Sequence, residues 1–543
     1  MRLLVLALIV PVIASAQDPT PSKIDAVFAR FDHADSPGCI VGVTRAGKMV
    51  YEKGYGMADL ERDRPITPSS IFHVASISKQ FTAMSILLLE QQGKLSIDDD
   101  VRKYIPELPD YGKRITLRNM LGHTSGIRDQ WTLLRIAGWR DDDLITEDDV
   151  MWAVTRQRAL NFNPGDEYLY SNSGFTLLGV IVKRVSGHSL RDFADEQIFK
   201  PLGMTHTHFH DDHTMVVPNR TSAYLPRQGG GWRVSIPVFD TYGATSLFTT
   251  AEDLLKWEQN FADARIGSTA LLARMQQEGM LNDGTPSGYA LGLAVGRHRG
   301  VREVGHSGAD AGYRADVERY PDQQLAVATL CNAANSNPGS LTREVADLYL
   351  GGVLGPDIAT ARQAGELSVP AQRLSSLAGV YRRETGDITR VELRDSKLWL
   401  ADGGPVELVP LSASHFTVRG FDADVQFDSA SDGSRSLRMR RGSAHSQLYR
   451  RMAPFMPTVA QLAAFAGRYR SSELDTELRL VAGDSTLVLE ERRPGSSTLR
   501  PIYTDAFRGG IGVMEFSRDA NGRVTGFVVN AGRVRGLRFD RIE

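Results

Sequence analysis

Ser76-Ile77-Ser78-Lys79 stands just before Phe81 to Gln92, a run with apolar residues at helical spacing that Gly93 closes. The reading of this stretch decides the first domain. A helix entered here puts Ser76 at its N-terminus and Lys79 one turn later on the same face. Free backbone N–H groups and the positive end of the helix dipole then surround the serine hydroxyl. A hydroxyl becomes a nucleophile only when a base takes its proton, and a lysine does this when its surroundings lower its pKa. On its own, the tetrapeptide reads equally well as an N-cap serine followed by a surface lysine, so other segments must carry the chemistry.

Two segments do. Tyr170-Ser171-Asn172 follows Asn163-Pro164-Gly165-Asp166-Glu167 and runs into a second apolar helix, Ser173 to Val185, stopped by Gly187. It offers a phenol for proton transfer and an amide, Asn172, to hold a substrate carbonyl. Gly305-His306-Ser307-Gly308-Ala309 reads as a strand. His306 is expected to donate to substrate or to Tyr170, and Gly308 to let the substrate backbone come close. Backbone N–H groups of Ser76 and Ala309 are the expected oxyanion hole. Ser76, Lys79, Tyr170 and His306 form the candidate catalytic set; Asn172, Ser307, Gly308 and Ala309 form the candidate substrate-binding set.

Around these lie alternating strands and helices. Cys39–Val43 and Met49–Gly54 read as a hairpin about Ala46-Gly47-Lys48, Thr250 caps a third helix, and Gly312–Tyr320 and Gln324–Cys331 are β-rich. The first domain is therefore α+β, an antiparallel sheet flanked by helices. Beyond residue 355 short alternating runs and recurrent turns give an all-β pattern that repeats. Leu374-Ser-Ser-Leu377-Ala-Gly379-Val-Tyr381 returns as Leu462-Ala-Ala-Phe465-Ala-Gly467-Arg-Tyr469, an offset of 88. Two small antiparallel β-barrels account for this. The expected divisions are a signal peptide at 1–16, the catalytic domain at 17–355, a linker at 356–372, and barrels at 373–454 and 458–543, with Pro454 and Pro457 between them.

The three site segments, in this order, resemble the serine β-lactamase and penicillin-binding protein superfamily, and most nearly its class C-like branch of D-aminopeptidases and family VIII esterases. Ile71-Phe72-His73-Val74-Ala75, Asn119-Met120-Leu121-Gly122-His123-Thr124-Ser125-Gly126-Ile127 and Thr249-Thr250-Ala251-Glu252-Asp253-Leu254 agree with it. The resemblance implies a β-lactamase-like domain over residues 25 to 350 followed by lipocalin-like barrels, and an acyl-enzyme on Ser76. His306-Ser307-Gly308 stands where β-lactamases carry Lys-Thr-Gly, which weakens the cationic site for a β-lactam carboxylate. The resemblance implies cleavage of amide bonds in short peptides, as D-aminopeptidases do, with a loop of the last barrel narrowing the cleft. A carboxylesterase or class C-like β-lactamase is the alternative, ahead of a penicillin-binding sensor that acylates once. Whether Lys79 or Tyr170 is the principal base stays open at this point.

The chain has 543 residues, 42% hydrophobic and 24% charged, with a net charge of −2. No basic block points to nucleic acid. Met1-Arg2, the apolar run Leu3 to Ile13 and Ala14-Ser15-Ala16 read as an export signal, too short to span a bilayer core of roughly 30 Å. A periplasmic or extracellular location is expected, with a small-molecule or short-peptide substrate and no membrane span after cleavage. The sequence is compatible with a homo-oligomer. The two cysteines, Cys39 and Cys331, read as small buried hydrophobes, although export permits a disulfide. His206 to His213 contains alternating histidines but follows an ordinary polar loop, so no metal or cofactor is expected. His123 reads as structural, and Trp131, Trp139 and Trp152 as core or cleft wall.

Overall fold

The computed structural model describes residues 18–356, 367–402, 404–419, 423–430, 434–441, 446–490 and 495–543. The expected export segment lies outside these, as does most of the expected linker. The first domain opens with helix α1 (Pro21–Phe28) and hairpin β1 (Cys39–Arg45) and β2 (Lys48–Tyr55). Helices α2 (Ser78–Gln91), α3 (Asn172–Ser186) and α4 (Ala251–Asp263) follow. The chain then adds β3 (Ala294–His298), β4 (Val301–Asp310), β5 (Tyr313–Tyr320), β6 (Leu325–Cys331) and helix α5 (Pro338–Leu350). The six strands form one antiparallel sheet in the order β3-β4-β5-β6-β1-β2.

Strand periodicity sorts the sheet's side chains between two cores. Cys39, Val41 and Val43 of β1 pack with Ile24 and Phe28 of α1 and with Leu341 and Val345 of α5. Ile40 points the other way, into the larger core that holds Leu87 of α2, Ile181 of α3 and Leu254 of α4. Helices α2 and α3 are buried through most of their length and pack together, which brings their N-termini to one place beneath β4.

The cysteine expectation is corrected by the sheet. Cys39 and Cys331 face each other in the β1–β6 register, with Cα atoms 4.0 Å apart, and form a disulfide. Their separation of 292 residues hides in sequence what the topology makes adjacent.

The C-terminal region forms two closed eight-stranded barrels, Gly379–Arg382 to Gln447–Arg451 and Gly467–Ser471 to Val534–Arg541. Closure leaves no strand edge to pair with another chain. The sequence repeat has a physical basis: Tyr381 and Tyr469 each donate a 2.7 Å hydrogen bond to the carbonyl four residues back, Leu377 and Phe465, tying a short helix over the barrel end.

The second barrel docks on the first domain. Arg128, 2% exposed, donates to the Arg535 carbonyl and, at 2.8 Å, to Glu473, itself 6% exposed. Glu473 also accepts from the Arg158 backbone N–H. Arg535 reaches Glu167 of the first domain and Asp387 of the first barrel, so three domains meet on one guanidinium. Replacing Glu473 by Gln leaves Arg128 buried without a counter-charge and is expected to cost about 3–5 kcal/mol; urea unfolding checks it, and parental stability in the variant would refute it. The denatured, unreduced protein should titrate no free thiol, and a Cys39→Ala/Cys331→Ala variant should lose about 2–4 kcal/mol.

Candidate active site

The site begins at a single helical turn, Ala75–Ile77, that leads into α2. Ala75 adopts φ 48°, a left-handed conformation that costs an alanine about 1–3 kcal/mol and is held here by its surroundings. Ser78 Oγ donates to the Ala75 carbonyl at 2.5 Å and accepts from Leu247 N–H at 3.0 Å, which fixes the turn to the segment behind it. Ser76 lies on this turn, partly exposed at the floor of a cleft of about 640 Å³.

One turn on, Lys79 is fully buried. Its Nζ donates to Ser76 Oγ at 3.0 Å, to Asn172 Oδ1 at 2.9 Å and to the Ala244 carbonyl at 2.6 Å. Burial pushes the Lys79 pKa down to about 7; Asp310 and Asp129 oppose that shift, whereas Arg533 adds to it. Asn172, the first residue of α3, is itself fixed by Asp129 Oδ2, which accepts both its backbone N–H and its Nδ2 at 2.8 Å. Sequence reading missed Asp129, although it lies just past the quoted Gly126-Ile127 turn.

Tyr170 closes the other side of Ser76. Its ring centre lies 4.8 Å from Lys79 Nζ, and burial pushes its phenol well above the ordinary value, with Ser76 pulling weakly the other way. The hydroxyl stands beside Ser76 without a hydrogen bond of normal geometry. His123 packs on the Tyr170 ring at 4.1 Å between centres and accepts from Ser171 N–H at 3.2 Å, so it holds the Tyr170 loop from below.

Strand β4 forms the facing wall. One expectation for it is corrected. His306 does not donate to Tyr170: the ring centres are 6.1 Å apart, and both His306 nitrogens are taken. Nδ1 lies 2.6 Å from the Ser307 carbonyl, which can only accept, so Nδ1 carries the proton and Nε2 accepts from Tyr289 Oη at 2.9 Å. Burial, reinforced by Lys79, pushes the His306 pKa down to about 3, so the ring is neutral. Tyr289 carries no signal in the sequence. Gly308, for its part, makes room for the chain itself, since a Cβ there would lie 2.2 Å from the Val74 carbonyl. This contact seats β4 against the Ser76 turn, with Ser307, Gly308 and Ala309 all lining the cleft.

Trp131 also lines the cleft, stacked on Phe239, whereas Trp139 and Trp152 pack together against the core. Among the alternating histidines, His208 and His210 pack against Phe248 with their pKa values pushed down to about 4 by burial. His213 pairs with Asp240 in an exposed loop. The last barrel contributes Arg533, whose guanidinium carbon lies 4.7 Å from the Tyr170 ring centre.

Residues 24–350 match the family model described as Beta-lactamase. Over 530 residues the chain is 26% identical to a D-aminopeptidase of Brucella canis, covering 93% of this chain and 96% of that relative. Its fold resembles the octameric penicillin-binding protein homologue from Pyrococcus abyssi, with a TM-score of 0.57 and 23% identity over 79% of this chain and 98% of that one. It also resembles the D-amino acid amidase from Ochrobactrum anthropi SV3, with a TM-score of 0.51 and 22% identity over 61% and 97% of the two chains. The chain therefore belongs to the beta-lactamase family, and is a hydrolase of that superfamily.

Proposed function

We propose that the protein hydrolyses amide bonds of short peptides through an acyl-enzyme on Ser76, in the manner of a D-aminopeptidase. The observation that carries this reading is the contact between buried Lys79 Nζ and Ser76 Oγ, in surroundings that hold the amine near neutrality. The likeness to a D-aminopeptidase, which spans both barrels as well as the catalytic domain, supports the substrate class. The histidine at 306 supports it too, because the lysine that would add a cation there is missing. Work outside the cytoplasm belongs to the same proposal, and the Cys39–Cys331 disulfide supports it.

In this mechanism neutral Lys79 accepts the Ser76 proton as Oγ bonds to the substrate carbonyl carbon. Backbone N–H groups of Ser76 and Ala309 take the charge that develops on the carbonyl oxygen. Tyr170, kept a neutral phenol by its raised pKa, relays the proton to the leaving nitrogen as the C–N bond breaks. Water then gives a proton to Lys79 and attacks the ester, and collapse returns the proton to Ser76 while the acid departs. His306 acts through Tyr289 and the Ser307 carbonyl as a positioning residue for β4.

Ser76→Ala should lower kcat/KM by about a thousandfold or more while the protein stays folded. A D-alanine anilide should be turned over in preference to a short-chain aryl ester or a cephalosporin; preferential cephalosporin hydrolysis would overturn the reading. The required form of Lys79 is the neutral one and its pKa is lowered, so kcat/KM should rise with pH through a limb near 7. A limb near the ordinary lysine value of 10.5 would refute a Lys79 amine that burial keeps near neutrality.

A further inference from the structure

Three arginines line the cleft: Arg314, Arg343 and Arg533. Two of them are engaged. Arg314 donates to the Ala311 and Tyr313 carbonyls, and Arg343 lies 2.7 Å from Glu303. Arg533 differs. Its partner oxygen, Asp129 Oδ2, is 3.9 Å away and already accepts two hydrogen bonds from Asn172. The Arg533 side chain remains 44% exposed, and among the described residues its guanidinium has no other ion pair. Its face is set over Tyr170, which leaves the planar N–H fork available for a second anion.

The position of Arg533 is fixed by backbone contacts. Gly532 and Arg533 form the two-residue turn between Val524–Ala531 and Val534–Arg541, with Ala531 paired to Val534 and Gly532 at φ 59°. The Arg533 carbonyl accepts from Asp129 N–H at 3.2 Å and from Asn161 Nδ2 at 2.9 Å, while Arg535 N–H donates to Asn161 Oδ1 at 2.8 Å. A turn clamped on both sides can present a charge at a fixed point. The sequence repeat isolates this feature: aligning Leu448 with Leu537 places Ala444 opposite Arg533 and Ser446 opposite Arg535. At these two aligned positions the arginines occur only in the copy that docks on the catalytic domain.

Tyr170 hands the proton to the leaving nitrogen, so a group stacked on Tyr170 stands beside the half of the substrate that leaves. We infer that Arg533 binds the C-terminal carboxylate of that leaving half, so that the protein selects dipeptides ending in a free acid over peptides whose end is amidated or blocked. The inference rests on the acyl-transfer reading for the identity of the leaving half, and adds to it the specificity residue and the substrate's charge.

The test compares D-Ala-D-Ala with its C-terminal amide at a pH well above 7, where Lys79 is neutral with or without Arg533. The wild-type protein should favour the acid in kcat/KM by about tenfold or more, the size of one charge-assisted contact, and mainly through KM. Arg533→Ala should bring the acid-to-amide ratio to about one, Arg533→Lys should restore part of it, and Arg533→Glu should invert it. A wild-type ratio of one, an unchanged ratio in Arg533→Ala, or a preference that instead follows an acid on the acyl side, as in succinyl-D-alanine anilide, would overturn the inference. Calorimetric binding of the two dipeptides to Ser76→Ala and Ser76→Ala/Arg533→Ala separates the two levels. Acid-selective binding that Arg533→Ala abolishes, without wild-type turnover, would sink the hydrolytic reading and sustain this one. Turnover of both dipeptides at equal efficiency would do the reverse.

Discussion

A lysine amine removed from water is the constraint around which this molecule is arranged. Lys79 has no exposed surface, and its three polar contacts come from three separate parts of the chain: the Ser76 turn, the first residue of α3 and the Ala244 carbonyl. An ammonium in such a place has lost its hydration, and the contacts compensate only in part. The balance leaves the amine near neutrality, which is the condition for it to deprotonate a serine at ordinary pH. Helices α2 and α3 must therefore pack closely enough to exclude water from Nζ, and the strained Ala75 must keep Ser76 within its reach.

The same constraint extends beyond the catalytic domain. Asn172 can hold Lys79 because Asp129 holds Asn172, and Asp129 N–H in turn donates to a carbonyl of the last barrel. Arg128, next to Asp129 in sequence, is buried against the same barrel through Glu473 and the Arg535 carbonyl. A continuous path of hydrogen bonds thus runs from Ser76 to a hairpin more than 400 positions away. The large apolar core also continues from the catalytic domain into the second barrel, whereas the first barrel keeps its own cluster. The second barrel is in that sense a wall of the site, and the first reaches it mainly through polar contacts such as Arg382 with Glu515 and Arg535 with Asp387.

What the sequence disclosed follows from the range over which each signal acts. Ser76 and Lys79 are one helical turn apart, Thr250 caps its own helix by accepting from Asp253 N–H, and the tyrosines of the repeat bond four residues back. Each is a local relation, and local relations survive in one dimension. Cys39 and Cys331, Gly308 and Val74, His306 and Tyr289, and Arg533 and Tyr170 are tertiary pairs whose meaning arises only when strands and domains are placed. His306 shows the limit most clearly. A histidine on the expected strand looked like a donor toward Tyr170, and only the fold reveals that Tyr289 and the Ser307 carbonyl satisfy it first.

Partition of the site between rim and interior follows from the geometry of a single turn. Because the helix begins at the cleft floor, Ser76 remains partly open to substrate while Lys79, three residues later, reaches back from the dry side of the same helix. Lys79 thus owes its lowered pKa chiefly to burial, with Arg533 of the cleft wall adding to it and Asp310 opposing it. The proposed specificity residue stands elsewhere, on the Tyr170 side, where Trp131 and Arg533 line the cleft. A change confined to the Arg533 side chain alters that wall while leaving the Arg533 carbonyl to accept from Asp129 N–H. An architecture of this kind separates the element that supplies the chemistry from the element that selects the substrate, and it does so at the cost of tying both to one buried arginine at the domain junction.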